Sequence, residues 1–168
     1  LVGNDWMNFS VQRSRQSLGY GKTGVMSLAD NFSRQDFMRL HTYSNIFDYT
    51  LNLTLFYNQN SSNVPMDFNF NGMHSIISLH RFDVKIANKV LISFTEGITA
   101  YTDNTLDLRL LNPFLFHHGF NNYSEGITAK PMDGDEANNI FSFELGYTVI
   151  PHLRVRGEYI FDQIQLSG

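Results

Sequence analysis

Apolar and polar residues alternate along most of this chain, with the period of two that is typical of β-strands. In residues 48–57 and 139–149, leucine, tyrosine, phenylalanine and valine occupy one face, while threonine, asparagine, serine and glycine dominate the other. Residues 153–165 and 5–13 alternate in the same way. Weaker alternation in three further segments brings the number of predicted strands to seven. These further segments are residues 36–44, 74–86 and 90–101.

Two of the weaker strands contain positions that break the alternation. Ile76 and Ile77 are adjacent apolar residues, which predicts a β-bulge at that point. Glu96 interrupts the apolar face of residues 90–94. The best candidate for a helix is one short turn within residues 105–111, so the chain is predicted to be almost entirely β-structure.

The predicted strands are joined by short and long connections in strict alternation. The short ones contain asparagine or proline, which favour tight turns, and the long ones are rich in glycine, asparagine, serine and aspartate. Soluble antiparallel sheets have no reason to alternate in this way, whereas outer-membrane barrels have short periplasmic turns and long extracellular loops. The short connections are residues 45–47, 87–89 and 150–152, and the long ones are residues 14–35, 58–73 and 102–138.

The composition favours a sheet that faces a membrane. Charged residues make up 17% of the chain, below the roughly 25% of soluble domains. Aromatic residues are frequent at 14%, and many lie at the ends of predicted strands. Such positions are typical of the aromatic girdles of membrane barrels. The girdle candidates are Trp6, Tyr43, Tyr49, Tyr57, Tyr101, Tyr147 and Tyr159.

Together these patterns predict an all-β protein, namely an antiparallel up-and-down transmembrane β-barrel or a contiguous part of one, with about 7–8 strands. No linker divides residues 1–168, so we expect a single β-barrel segment. The predicted location is the bacterial outer membrane, with membrane lipid and lipopolysaccharide as partners. The net charge of −4 gives no basic surface for nucleic acid, so nucleic acid is not an expected partner.

The number of predicted strands bears on whether the barrel is complete. Seven is odd, whereas single-chain bacterial barrels close with an even number of strands. The chain begins at Leu1 without a signal peptide and ends in Gly168 without a terminal aromatic residue. These features predict a part of a larger barrel. The alternative is an eight-stranded barrel with a further strand hidden in residues 14–35, around residues 25–29.

Charged residues in the polar phase of the strands are the candidates for a functional site. In a barrel these side chains point into the lumen, where opposite charges on neighbouring strands can pair. A tight turn at Pro151 would place Glu144 opposite Glu158, and the nearby arginines favour an ion network over acid–base catalysis. The predicted lumen-lining residues are Arg39, Arg81, Glu144, Arg154, Arg156, Glu158 and Asp162.

Motifs for catalysis, cofactors and metals find little support. Residues 19–24 match G-x-G-x-x-G, but no helix or βαβ unit follows, so a glycine-rich loop is favoured over a phosphate site. His117, His118 and Glu125 with the acidic residues of 133–136 have a spacing that favours a solvated acidic loop over a cation site. The chain has no cysteine and no G-x-S-x-G elbow. We therefore predict no catalytic residues, no cofactor and no metal site.

Three segments carry a family resemblance. Residues 9–28 contain SVQRSRQSLGYGKTGVMSL, in which an arginine-bearing strand precedes a glycine-rich loop. Residues 110–117 read LLNPFLFH, and residues 138–165 form a predicted hairpin that opens with NIF and ends in IFDQIQ. Together these segments resemble the Wzi-type capsule-assembly family of outer-membrane barrels. The resemblance implies a non-catalytic role in the assembly or attachment of surface or capsular polysaccharide, and a family barrel much longer than this chain.

Two other functions stay open at this point. A passive porin or transport channel would use the lumen arginines to set charge selectivity. An outer-membrane hydrolase would need active-site residues in strands that this chain lacks. The aromatic and asparagine residues of 120–123 would suit contacts to sugar in the first interpretation. Glycan binding without conductance favours the first function, conductance favours the second, and activity lost with one serine or histidine favours the third.

Overall fold

The computed structural model of the protein describes residues 1–19, 34–57, 74–102, 108–112 and 137–162. Within these ranges eight strands follow one another in chain order, and each pairs antiparallel with its chain neighbours. The protein is therefore all-β, with a single up-and-down sheet that is not closed into a barrel and has β1 and β8 at its edges. The strands are β1 Val2–Gly3, β2 Met7–Ser14, β3 Gln35–Tyr43, β4 Phe47–Tyr57, β5 His74–Ile86, β6 Val90–Thr102, β7 Ala137–Ile150 and β8 Leu153–Asp162.

The seven strands predicted from the alternation are confirmed as β2 to β8, with small differences at their ends. The eighth strand is β1, which pairs Val2 with Phe9 of β2. The proposed strand around residues 25–29 lies outside the described residues. A four-residue 3₁₀-helix, Leu108–Leu111, occupies the position predicted for a short helical turn. No helix in the described part of the chain is long and apolar enough to cross a membrane.

The short connections are confirmed as tight turns. Ala87 and Asn88 have φ angles of 48° and 55°, and the Lys89 amide donates to the Ile86 carbonyl at 3.0 Å. Two consecutive residues with positive φ match the twist of an antiparallel hairpin. His152 also has a positive φ, 73°, in the turn between β7 and β8. These turns fix the register of the paired strands.

Continuous registers place the side chains on two faces, which we call the apolar face and the polar face. Residues paired across the sheet lie on the same face, so one row of the polar face runs from Asp48 through Asp83 and Ser93 to Glu144 and Glu158. The apolar face includes Leu53, Ile98, Phe143, Leu145 and Tyr159, and the polar face also includes Asn52, Thr54, Arg81, Thr148 and Arg156.

The bulge expected at Ile76 and Ile77 is wrong, because β5 keeps an unbroken register with both neighbours there. The alternation is disturbed for another reason: Ile77 and Leu79 lie on the polar face, where Leu18 packs against them. The irregularity in the sheet occurs instead between Thr148 and Ile150, beside the last tight turn.

Burial divides the sheet into two regions. In the central strands, β4 to β6, both faces are covered around Leu53, and the adjacent residues Leu53 and Thr54 are 4% and 0% exposed. Toward the tight turns the apolar face of these strands opens, and Phe94 is 37% exposed. Leu110 of the 3₁₀-helix packs on the apolar face of these strands against Leu53, Ile76 and Ile98. In the last hairpin, β7 and β8, the apolar face is open, and Tyr159 is 61% exposed.

The aromatic residues proposed as a girdle do not share one environment. Trp6, Tyr147 and Tyr159 are exposed, as a girdle requires. Tyr49 is buried instead, because its ring packs against Phe82 with the centroids 4.9 Å apart. The sequence position of Tyr49 near a strand end therefore did not predict its exposure. Tyr57 is the last residue of β4, and Tyr101 is the last but one of β6. That their side chains belong to a girdle stays a prediction.

Candidate functional site

An ion network on the polar face joins the central strands to the last hairpin. Glu144 of β7 accepts from two arginines, with Oε2 2.8 Å from an Nη of Arg81 and Oε1 bound to Arg156. Arg81 also pairs with Asp83 of its own strand at 2.9 Å. Arg81, Asp83 and Glu144 are at most 3% exposed, so the network is a buried one.

The strand registers explain why these charges meet. Asp83 and Glu144 both pair with Ser93 of β6, one on each side, so the small serine leaves space between two carboxylates. Arg81 precedes Asp83 by two residues in β5, so it lies on the same face, opposite Thr95. Its long side chain reaches across β6 to Glu144 of β7. Removing charges from water is costly unless they are paired and hydrogen-bonded. The arginine between two carboxylates satisfies this requirement.

The network has the chemistry of a structural cross-link. Both oxygens of Glu144 are engaged by guanidinium groups. Such paired contacts orient planar groups and hold strands in register. The prediction that the carboxylates join an ion network is confirmed for Glu144.

A second polar cluster surrounds Arg39 of β3. Its Nε donates to the Asn52 side chain at 3.0 Å, and an Nη donates to Gln16 at 3.4 Å. The Gln16 amide in turn donates to Thr54 at 2.9 Å. The Arg39 guanidinium also lies 5.1 Å from the centre of the Phe37 ring, within the range of a cation–π contact. Arg39 is half-buried, so part of the group stays open to the polar face.

The predicted lumen residues differ in the contacts that they make. Arg39, Arg81, Glu144 and Arg156 lie on the polar face and make the contacts described above. Glu158 lies directly opposite Glu144 on the same face, as predicted, and is half-buried.

Arg154 departs from the predicted network. It is exposed and donates to the Thr148 hydroxyl at 3.1 Å, because the short turn brings these two residues together. Asp162 ends β8 opposite Ile140 on the polar face, and the proposed role of its side chain stays a prediction.

Sequence reasoning missed four participants on the polar face. Asp83 is in the polar phase of β5, two residues from Arg81, and this phase was the available signal. Lys85 and Asp48 form an ion pair near the short turns. Gln16 follows β2 and is buried through contacts with β3 and β4, which no local pattern could reveal.

A small polar group also lies on the apolar face of the central strands. His80 and Glu96 are cross-strand partners and are 2% and 1% exposed. The Tyr49 hydroxyl lies 3.4 Å from Nδ1 of His80. The break in alternation noted at Glu96 therefore corresponds to a buried position opposite a histidine. These polar residues lie in the covered region and not in the last hairpin.

Several sequence hypotheses fall outside the described residues. They concern the acidic residues of 133–136 with His117, His118 and Glu125, the aromatic residues of 120–123, and most of the glycine-rich loop. Among the residues that the structure does describe, no group of three histidine, aspartate or glutamate side chains is placed to hold a metal ion.

Comparisons with known proteins were made with family models, with curated proteins and with solved structures. None of the three found a match for this chain.

Proposed function

We propose that this chain is a wall segment of an outer-membrane β-barrel, with the apolar face against lipid and the polar face toward the lumen. The observation that carries the proposal is the contrast across the last hairpin. Leu145 and Tyr159 on one side are 47% and 61% exposed, whereas Glu144 on the other side is 1% exposed within an ion network. Large exposed apolar patches mark surfaces that contact a membrane or another protein.

The connections support the same proposal. Tight turns join β3 to β4, β5 to β6 and β7 to β8, so they lie along one end of the sheet. The strand ends that the long connections join, such as Tyr57 and His74, lie along the other end. In an outer-membrane barrel the short turns face the periplasm, so β2, β4 and β6 run outward.

Within such a barrel, we assign the chain a non-catalytic role in assembling or attaching surface or capsular polysaccharide. This part of the proposal rests on the sequence resemblance of residues 9–28, 110–117 and 138–165 to Wzi-type capsule-assembly barrels. The partner would be a polysaccharide presented at the cell surface, together with membrane lipid and lipopolysaccharide.

A second candidate function, a passive channel, is favoured by the arginines of the polar face. Arg39 and Arg156 are only partly buried and Arg154 is exposed, so cationic groups border any lumen that this wall encloses. Rings of arginine select for anions in pores. Planar bilayers distinguish the two functions, because a channel conducts ions and a glycan-binding barrel retains polysaccharide without conducting.

The barrel proposal is tested by removing detergent from the purified protein while light scattering is recorded. An apolar belt stripped of detergent aggregates, so scattering is expected to rise. A clear, monomeric solution in plain buffer would refute the membrane assignment. Exchange into lipid vesicles instead of plain buffer serves as the control and is expected to keep scattering low.

The orientation is tested with epitope tags on intact cells. Tags within residues 58–73 or 102–138 are expected to be accessible to antibody. Tags at Asn45, Asn88 or Pro151 are expected to be inaccessible until the outer membrane is permeabilised. The reverse pattern would invert the proposed orientation, and equal accessibility of all tags would contradict a membrane wall.

The glycan role is tested by deleting the gene and measuring polysaccharide retained on the cell surface. Loss of retained polysaccharide, with unchanged amounts released to the medium, is expected for an attachment role. Unchanged retention together with conductance of the purified protein would favour the channel.

A further inference from the structure

The segment that follows β2 folds back across the polar face. Residues 15–18 leave the end of β2 and bring Gln16 and Leu18 onto β4 and β5, where they are 5% and 6% exposed. Gln16 is held by Thr54 at 2.9 Å and by Arg39 at 3.4 Å. We call residues 15–18 the strap.

The polar face contains a prepared seat for the strap. Leu18 packs in a cluster with Leu79 and Ile77, the two apolar residues that interrupt the alternation of β5. Gly97 lies opposite Leu79, and a Cβ at this glycine would overlap the Leu79 side chain. The missing side chain therefore lets Leu79 lie over β6 while it contacts Leu18.

The contacts with Leu18 explain why apolar residues occur on the polar face of β5. On a polar face that lines water, Leu79 would expose apolar surface at a cost, yet it is 1% exposed because Leu18 and its neighbours cover it. Two independent sets of contacts, polar at Gln16 and apolar at Leu18, thus fix the same short segment. A segment that only passed over the surface would need neither set.

We propose that the strap narrows the lumen and restricts ion passage through the barrel. The inference rests on the proposed function, because a lumen exists only if this sheet is part of a barrel. Through Thr54, Ile77 and Leu79, residues 15–18 cover the polar face of β4 and β5 from near mid-strand toward the ends that the long connection joins. They therefore lie where ions would travel. The long connection after β2 thereby begins inside the barrel, and the passive-channel function is disfavoured.

The test measures conductance of the native protein in planar bilayers for three forms. Leu18→Asp places a charge on the seat and is expected to raise the fraction of open time at least about tenfold, as expected for loss of a buried leucine contact. Ser17→Asp is the matched control, because it adds the same charge to the same segment at an exposed side chain. This variant is expected to have the same fraction of open time as the wild type.

A second experiment with a disulfide does not depend on whether the aspartate variant folds. The double variant Leu18→Cys with Ile77→Cys is expected to conduct less when oxidised than when reduced. Equal conductance of the oxidised and reduced forms, with Leu18→Asp no different from Ser17→Asp, would overturn the strap.

Thiol reactivity separates failure of the strap from failure of the barrel. Leu18→Cys is expected to react with a water-soluble maleimide at least about tenfold more slowly than Ser17→Cys, since its position is covered. This measurement needs no bilayer, so it stays informative if the protein fails to insert, a result that would count against the proposed function alone. Equal reaction rates would refute the strap contact.

Discussion

The central strands and the last hairpin share one alternating pattern and differ in what covers their apolar face. Leu53 of β4 and Leu145 of β7 are both leucines on this face, yet Leu53 is 4% exposed and Leu145 is 47% exposed. The 3₁₀-helix packs on the central strands through Leu110. No described residue provides such a cover for the last hairpin.

Polar residues on the apolar face indicate which part of that face is covered by protein. In the central strands the apolar face also contains Ser78, His80 and Glu96, all at most 2% exposed. From Phe141 to Tyr147 the apolar face of β7 contains only phenylalanine, leucine and tyrosine. Polar groups are costly against lipid, so they are expected where protein provides hydrogen-bond partners. The last hairpin is therefore the better candidate for lipid contact.

The largest expected effect tests the network that links the two regions. Arg81→Leu removes the cation between Asp83 and Glu144, leaving buried carboxylates with fewer partners. Loss of one partner from a buried ion pair costs roughly 3–5 kcal/mol. We expect a decrease of this size in the free energy of unfolding, measured by reversible urea unfolding in detergent or vesicles.

The control for this change is Arg154→Gln in the last hairpin. Arg154 is exposed and donates a hydrogen bond to Thr148, so we expect a decrease below about 1 kcal/mol. Equal losses for Arg81→Leu and Arg154→Gln would contradict the described ion network.

The two leucines themselves provide a matched pair. Leu53→Ala creates a cavity under the 3₁₀-helix and is expected to lower the free energy of unfolding by about 2–5 kcal/mol. Leu145→Ala removes the same atoms from an open surface, so a loss below about 1.5 kcal/mol is expected. Urea unfolding of both variants in the same detergent measures the difference, and similar losses would remove the distinction between the regions.

A charge on the apolar face of the last hairpin sharpens the comparison further. Leu145→Arg is expected to cost about 2–4 kcal/mol of assembly near the midplane of a bilayer. Thr148→Arg, on the half-buried part of the polar face, is expected to cost less. Folding yield into vesicles reports both, and a larger loss for Thr148→Arg would reverse the assigned faces.

Two other polar-face positions are unsuitable for this control. Ser142 is 2% exposed, and a Cβ at Gly146 would already contact Leu91 at 3.5 Å and Arg156 at 3.6 Å. An arginine at either position would be buried beside existing cations. Thr148 is therefore the better control position.

The sheet could be predicted from the sequence because period-two alternation is a local property. β4 and β7 show it over ten or more residues, and their predicted limits agree closely with the structure. β1 was missed, because Val2–Gly3 is too short to display a pattern. The bulge was predicted at the wrong place because Ile77 and Leu79 are apolar residues on the polar face. They pack against Leu18, a residue distant in the sequence.

The candidate site was predictable to the same extent. The polar phase of each strand placed Arg81, Glu144 and Arg156 on one face. Which of them touch depends on side-chain reach across β6, which the sequence does not encode locally. The burial of Gln16 depends on a backbone reversal after β2. No residue pattern in that segment predicts this reversal.

The most direct test of the central claim uses a single tryptophan as a reporter of lipid contact. Trp6 is the only tryptophan in the chain, so Trp6→Phe provides a background without fluorescence from this residue type. Into it we would introduce either Tyr159→Trp in the last hairpin or Tyr49→Trp in the central strands, where the two tyrosines are 61% and 8% exposed. In vesicles of phospholipid brominated on the acyl chains, strong quenching is predicted for Tyr159→Trp and little quenching for Tyr49→Trp. Unquenched fluorescence from Tyr159→Trp in a folded, vesicle-bound protein would contradict the account.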